Sequence, residues 1–230
     1  EDFWNPETDP FLQKNYPSRH PFSQEAWSLV QQGKKENKKQ LQKQLGLKES
    51  SVPLVACVTR LVPQKGPLLI AHAFRHVLDR GAQCVILGSL FSDDMRELFT
   101  FLQSEYLASS QGALLFDYNE PLAHLIYAAA DILLVPSLFE PCGLSQMIAL
   151  RYGCLPIVRK TGGLGDTIFD EDNGFVFTKA CKDELNQTID RALALFAKEP
   201  SSWQKIMQQG MAKDMSWRLA AKEYERLYLV

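Results

Sequence analysis

Glu140 is the acid whose surroundings say most about chemistry. It stands in Pro136-Ser137-Leu138-Phe139-Glu140-Pro141-Cys142-Gly143-Leu144-Ser145-Gln146, directly after the apolar run Ile132-Leu133-Leu134-Val135. That run, bounded by Asp131 and Pro136, predicts a strand buried on both faces of a parallel sheet. Beyond the loop, Leu144, Met147, Ile148, Leu150 and Arg151 recur at helical spacing as far as Gly153. The first turn of such a helix has N–H groups without intrahelical partners and the positive end of the macrodipole. Cys142, Gly143, Leu144 and Ser145 are therefore placed to offer donors to an anion, and phosphate is the guest they suit. A carboxylate beside a phosphate is repelled by it unless it faces something else. Facing a sugar, Glu140 can hold hydroxyls or stabilise a cationic anomeric carbon; the blander alternative is that it caps the helix, where acids are common.

Two cations come from another strand end. The β-rich run 52–59 leads into Thr59-Arg60-Leu61-Val62-Pro63-Gln64-Lys65-Gly66. Ligands of open parallel α/β sheets bind at strand C-termini, where Arg60 and Lys65 can grip a diphosphate; two surface cations in a βα loop are the alternative. Tyr118 follows a third strand, 113–116, in Asp117-Tyr118-Asn119-Glu120. Its ring either stacks on a nucleotide base or packs at a loop mouth. Thr161-Gly162-Gly163 follows a fifth strand, 155–158, as a turn that admits close backbone approach or sets the next helix.

The elements that must position these residues alternate. Helices are expected over 24–46, 68–78, 93–106, 122–130, 185–196, 201–211 and 216–228, with further strands over 84–88 and 174–177. Such alternation implies an α/β, doubly wound parallel sheet of Rossmann-like type with right-handed crossovers. Residues 1–22 hold four prolines and read as an extended connector, 23–213 as the Rossmann-like domain, and 214–230 as a terminal helix.

With 230 residues and 46% hydrophobic content, one large domain with a buried core is expected. A net charge of −2 gives no electrostatic case for nucleic acid or a membrane surface, and no apolar run approaches the roughly 20 residues of a bilayer span. Lys34, Lys35, Lys38, Lys39 and Lys43, the basic run, read as a solvated helix face. Cys57, Cys84, Cys142, Cys154 and Cys181 contain no C-x-x-C pair and read as free thiols in a reducing cytoplasm. Cys142 has no sequence-adjacent histidine, so its backbone rather than its thiol is the expected contributor. His72 and His76 lack an H-E-x-x-H context and read as packing residues rather than metal ligands, like the isolated His20 and His124. Asp170-Glu171-Asp172 precedes Asn173-Gly174 and reads as a turn. The absence of G-x-x-x-x-G-K-[ST], and of G-x-G-x-x-G after the first strand, argues against an NTPase and a dinucleotide oxidoreductase.

The run FEPCGLSQ, followed by RYGCLPIVRKTGGLGDT, resembles the signature of the starch and bacterial glycogen synthases, retaining glucosyltransferases of the GT-B fold. Their phosphate loop, SRL..QKG, is matched by Thr59 to Gly66, and the likeness extends from WNPETDP to SWRLAAKEYERLY. It implies the C-terminal half of a GT-B enzyme, with an N-terminal domain as its partner. It also implies transfer of glucose from ADP-glucose to an α-1,4-glucan with retention, in cytoplasm or plastid stroma. Arg60 and Lys65 would neutralise the diphosphate without a metal or other cofactor, while Glu140 holds the transferred glucose. Tyr118, 22 positions before Glu140, matches the family's adenine-stacking tyrosine. Ile148 stands where many related transferases carry a second glutamate, a departure shared by this subfamily. The tail would cross back to the other domain, leaving Trp217, Tyr224, Leu227 and Tyr228 partly exposed without it, and the half-enzyme would be inactive alone. A non-catalytic nucleotide- or glucan-binding module is the alternative.

Overall fold

The computed structural model describes residues 3–18, 21–106 and 108–228. Their elements run α1 (Gln24–Gln44), β1 (Leu54–Leu61), a 3-10 turn (Pro63–Lys65), α2 (Pro67–Asp79), β2 (Gln83–Leu90), α3 (Asp93–Glu105), β3 (Gly112–Leu115), α4 (Glu120–Ala129) and β4 (Ile132–Val135). The chain continues with α5 (Ser145–Arg151), β5 (Leu155–Arg159), α6 (Gly162–Thr167), β6 (Phe175–Phe177), α7 (Lys182–Lys198), α8 (Pro200–Ala212) and α9 (Trp217–Tyr228). Side chains start three helices: Ser23, Ser92 and Asn119 accept from Ala26, Met95 and Leu122 N–H respectively.

Six strands form one parallel sheet in the order β3-β2-β1-β4-β5-β6. Every residue of β4 is buried, as its unbroken apolar run requires. The order reverses between β1 and β4, so the loops leaving those two strands diverge and open a crevice at the carboxyl edge. β1 starts two residues later than its apolar pattern suggests and runs on through Arg60 to Leu61. Pro53 brings no N–H to the ladder, whereas Leu61 is fully buried and pairs with Leu90.

The lysine run departs from the expected solvated face. Lys34 and Lys38 are buried and share the inward stripe of α1 with Trp27, Val30 and Leu41. Lys34 Nζ donates to the carbonyls of Ala128 (3.1 Å), Ala130 (2.9 Å) and Tyr152 (3.1 Å), closing the C-terminal ends of α4 and α5 with one cation. Lys38 Nζ meets Asp131 Oδ2 at 2.6 Å and donates to Val52 O at 2.6 Å. Burial lowers the Lys34 pKa from its ordinary value, and the three carbonyls satisfy its three N–H donors.

Residues 3–18 contain no helix or strand, yet they are packed. Asp9 Oδ2 accepts from His124 Nδ1 at 2.7 Å and from Tyr152 Oη at 2.5 Å, Trp4 stacks on the His124 ring at 3.8 Å, and Tyr16 Oη donates to Tyr152 O at 2.9 Å. Burial, with Asp9 alongside, pushes the Tyr152 phenol well up. His72 and His76 meet Asn186 (2.9 Å) and Asp190 (2.8 Å), pinning α2 to α7; His20 lies outside the described residues. The acidic triplet makes a turn whose Asp170 and Glu171 pair with Arg191. Among the described residues no cluster of His, Cys, Asp or Glu could hold a metal, and no helix is long and apolar enough to cross a membrane. The helix α9 buries none of its side chains, and Trp217, Tyr224, Leu227 and Tyr228 are exposed.

Candidate functional site

The loops after β1 and β4 meet because a glycine lets them. Gly66 closes the 3-10 turn at φ 69°, and a Cβ there would stand 2.5 Å from Pro136 O. Any larger residue would push the loops apart, besides straining in the left-handed region. Leu138 and Phe139 N–H then donate to Gln64 O at 2.8 and 3.2 Å. This stitching carries Lys65 to Glu140, where Nζ pairs with Oε2.

Glu140 is 7% exposed, so its charge has little water to lean on. Ser137 Oγ donates to the same Oε2 at 3.1 Å, while Oε1 has no protein partner among the described residues. A partly desolvated carboxylate with one oxygen fixed and one free is a positioned acceptor rather than a helix cap.

Three further contacts hold the loop still. Arg159, at the end of β5, donates from Nε to Ser137 O at 2.8 Å and from Nη2 to Leu138 O. At the start of α6, a Cβ on Gly162 would lie 2.1 Å from Glu140 O, and one on Gly163 would lie 2.2 Å from Cys142 O. Gly163 N–H donates to the carbonyls of Glu140 (3.1 Å) and Pro141 (3.2 Å), so the glycine turn both sets a helix and receives the loop backbone. Buried Gln146 donates from Nε2 to Cys142 O (3.1 Å), Gly143 O (2.9 Å) and Thr167 Oγ1 (3.2 Å).

Gly143 lies just ahead of α5 at φ +77°, and Leu144 is the N-cap, with no side chain capping the helix. Its first intrahelical bond is Ile148 N–H to Leu144 O, which leaves the N–H groups of Ser145, Gln146 and Met147 without helical acceptors. Cys142 and Leu144 are exposed, and Gly143 and Ser145 half-buried.

Arg60 is exposed near the end of β1 and makes no ion pair or side-chain hydrogen bond among the described residues. Tyr118 is 84% exposed beyond β3, its Oη 2.5 Å from Glu120 Oε2, a contact that raises the phenol pKa and leaves the ring face open. Two strand spacings, about 10 Å, separate β3 from β1. The structure thus joins Lys65 and Glu140 directly and places Arg60, Tyr118 and residues 142–145 on the same edge without bonding them to that pair. Ser137 and Arg159 escaped the sequence reading, although Ser137 lies inside the signature and Arg159 begins the run into the glycine turn.

Comparison with known proteins matches this arrangement to a family. Residues 37–208 fit the profile described as glycosyl transferases group 1. Over 99% of its length the chain is 44% identical to glycogen synthase of Geobacillus stearothermophilus, covering 46% of that protein. It is also 44% identical to the probable starch synthase 4, chloroplastic/amyloplastic, of Arabidopsis thaliana, covering 22% of it. Among solved structures, the catalytic domain of starch synthase IV from Arabidopsis thaliana bound to ADP and acarbose superposes with a TM-score of 0.90 at 43% identity, over 98% of this chain and 46% of that one. The chain spans about half the length of its bacterial relatives, and its six-stranded parallel domain matches the C-terminal half of a GT-B synthase. By profile, by sequence and by fold, the chain belongs to the group 1 glycosyl transferases, in the glycogen and starch synthase family.

Proposed function

We propose that the chain is the donor-binding half of a glucosyltransferase that moves glucose from ADP-glucose to the non-reducing end of an α-1,4-glucan with retention. The observation that carries the reading is the Lys65–Glu140–Ser137 cluster at the reversal point of the sheet, with Arg60 on the same edge and unpaired among the described residues. Arg60 and Lys65 take the diphosphate charge as the C1–O bond breaks, so the leaving group's charge is met without calling on a metal. Lys65 exchanges its pairing with Glu140 for the diphosphate, and the N–H groups around Gly143 and Leu144 share the load. Glu140, fixed through Oε2, turns Oε1 to the hexose hydroxyls and favours positive charge at C1. The acceptor hydroxyl forms the new C1–O bond on the face the diphosphate leaves and passes its proton to the departing diphosphate oxygen. ADP and acarbose in the starch synthase IV structure support this donor and acceptor pairing.

The reading places the chain in cytoplasm or plastid stroma, where its five free cysteines would stay reduced. It also gives the open faces of Trp217 and Tyr228 a second domain to meet, and acceptor contacts would come from that domain. On this reading the 230-residue chain alone binds ADP weakly and elongates no glucan, whereas a longer protein carrying the partner domain does both. Calorimetry with ADP and a glucan-elongation assay on each form test it, and elongation by the chain alone would refute the half-site reading. Tyr118 supplies the base platform: Tyr118→Ala should weaken ADP about tenfold, the range of a lost base–aromatic stack. An unchanged dissociation constant would remove it from the site.

A further inference from the structure

Arg159 closes β5 at the edge of the sheet where the Glu140 loop crosses, and it directs its guanidinium at main chain. No acid among the described residues pairs with it; Nε and Nη2 donate to the carbonyls of Ser137 and Leu138. The amide protons of the same two peptide groups, those of Leu138 and Phe139, both meet Gln64 O, at 2.8 and 3.2 Å. A trans peptide holds its C=O and N–H on opposite sides, so two successive peptide planes are pinned at both ends. One jaw of this clamp is the end of β5, and the other is the turn after β1.

The clamped peptides adjoin the groups that hold the acid. Buried Ser137 supplies both the carbonyl that Arg159 Nε meets at 2.8 Å and the hydroxyl that donates to Glu140 Oε2 at 3.1 Å. Gln64 precedes Lys65, whose ammonium meets the same carboxylate oxygen. Arg159 thus sets the relation of Ser137 to Lys65 through main chain alone. Two donors from one rigid fork fix a peptide pair in rotation as well as in position, which the point charge of a lysine does not do.

The need for that hold grows during the reaction. In this structure Lys65 and Ser137 share Glu140 Oε2. Once Lys65 turns to the diphosphate, the Ser137 hydroxyl is the side-chain contact left to the carboxylate, and its place depends on the pinned peptide.

We infer that Arg159 is a positioning residue for glucosyl transfer: its grip on the Ser137 and Leu138 carbonyls keeps Glu140 aimed at the hexose after Lys65 has moved, an inference that rests on the donor-site reading above. In a protein that carries the partner domain, Arg159→Met should lower kcat by about ten- to a hundredfold, the upper end being the cost of misplacing a catalytic group by about 1 Å. ADP affinity by calorimetry and KM for the donor should stay within about threefold, the split expected of an interaction that matters only in the transition state. Arg159→Lys, which keeps the cation without the fork, should recover transfer only in part, and it carries the test if the Met variant melts below the assay temperature. In Arg159→Ala, millimolar ethylguanidinium should restore transfer saturably where ethylammonium does not. Turnover near wild type in Arg159→Met, full activity in Arg159→Lys, or absence of rescue would each overturn the inference. So would a loss of ADP affinity as large as the loss of transfer, because Arg159 would then be gripping the diphosphate itself. Glu140→Ala in the same assay separates the two layers. If it transfers normally, the donor-site reading fails and this inference with it; if it is inactive while Arg159→Met is not, only the role of Arg159 falls.

Discussion

Glu140→Ala, made in a protein that carries the partner domain, should lower glucosyl transfer by about 10²- to 10³-fold or more, the cost of removing a group that stabilises charge appearing only in the transition state. Donor affinity should stay within a few fold. On the proposed reading the ground-state hold on ADP belongs to Arg60, Lys65 and the helix mouth, and losing the carboxylate releases Lys65 from its pairing rather than removing it. Glu140→Gln separates charge from shape: it keeps the hydrogen bond from Ser137 but not the negative charge, and it should fall nearly as far. Steady-state transfer assays with matched ADP calorimetry give both numbers, and turnover near wild type in either variant would refute the assigned role.

Arg60→Ala and Lys65→Ala should each weaken ADP, and ADP-glucose in parallel, by about ten- to a hundredfold, the usual worth of a hydrogen bond to a charged group. The two differ in what they leave behind. Among the described residues Arg60 has no protein partner to strand, so its loss should appear in ligand affinity alone. Removing Lys65 also leaves a nearly buried carboxylate without its counter-charge, so Lys65→Ala should lower the unfolding temperature as well. Calorimetry and a thermal melt distinguish them; if only the sugar-bearing ligand lost affinity, the cations would be reading glucose and not diphosphate.

The strands were legible because parallel-sheet strands announce themselves as apolar runs. Ile132 to Val135 was recovered to the residue, and the others within about two residues. Lys34 and Lys38 were not legible, since a hydropathy pattern scores a lysine as surface whatever lies opposite it. The clue was their position on the same helical stripe as Trp27, Val30 and Leu41, but apart from Val52 O beside Lys38 the groups that make burial tolerable come from residues 93 to 118 positions away. The same limit hid Arg159, whose partners are the carbonyls of Ser137 and Leu138 in the preceding βα loop. That Glu140, Arg60 and Lys65 share one edge of the sheet was readable, because Arg60 stands near the carboxyl end of β1 and the other two lie in the loops that follow β1 and β4. That Lys65 would sit on Glu140 itself depended on the close approach at Gly66, a backbone fact that no residue type states alone.

The glycines at 66, 162 and 163 touch carbonyl oxygens where other residues would carry a side chain, so main chain rests on main chain at three points around the acid. The spacing of the pocket is thereby decoupled from the identity of the groups that line it. Exposed positions such as Tyr118, Cys142 and Leu144 can be exchanged while the frame stays where it is. If the proposed donor site is right, such a chassis lets nucleotide preference drift by single replacements, whereas a methyl group at any of the three seams would have to be answered by movement of a whole loop.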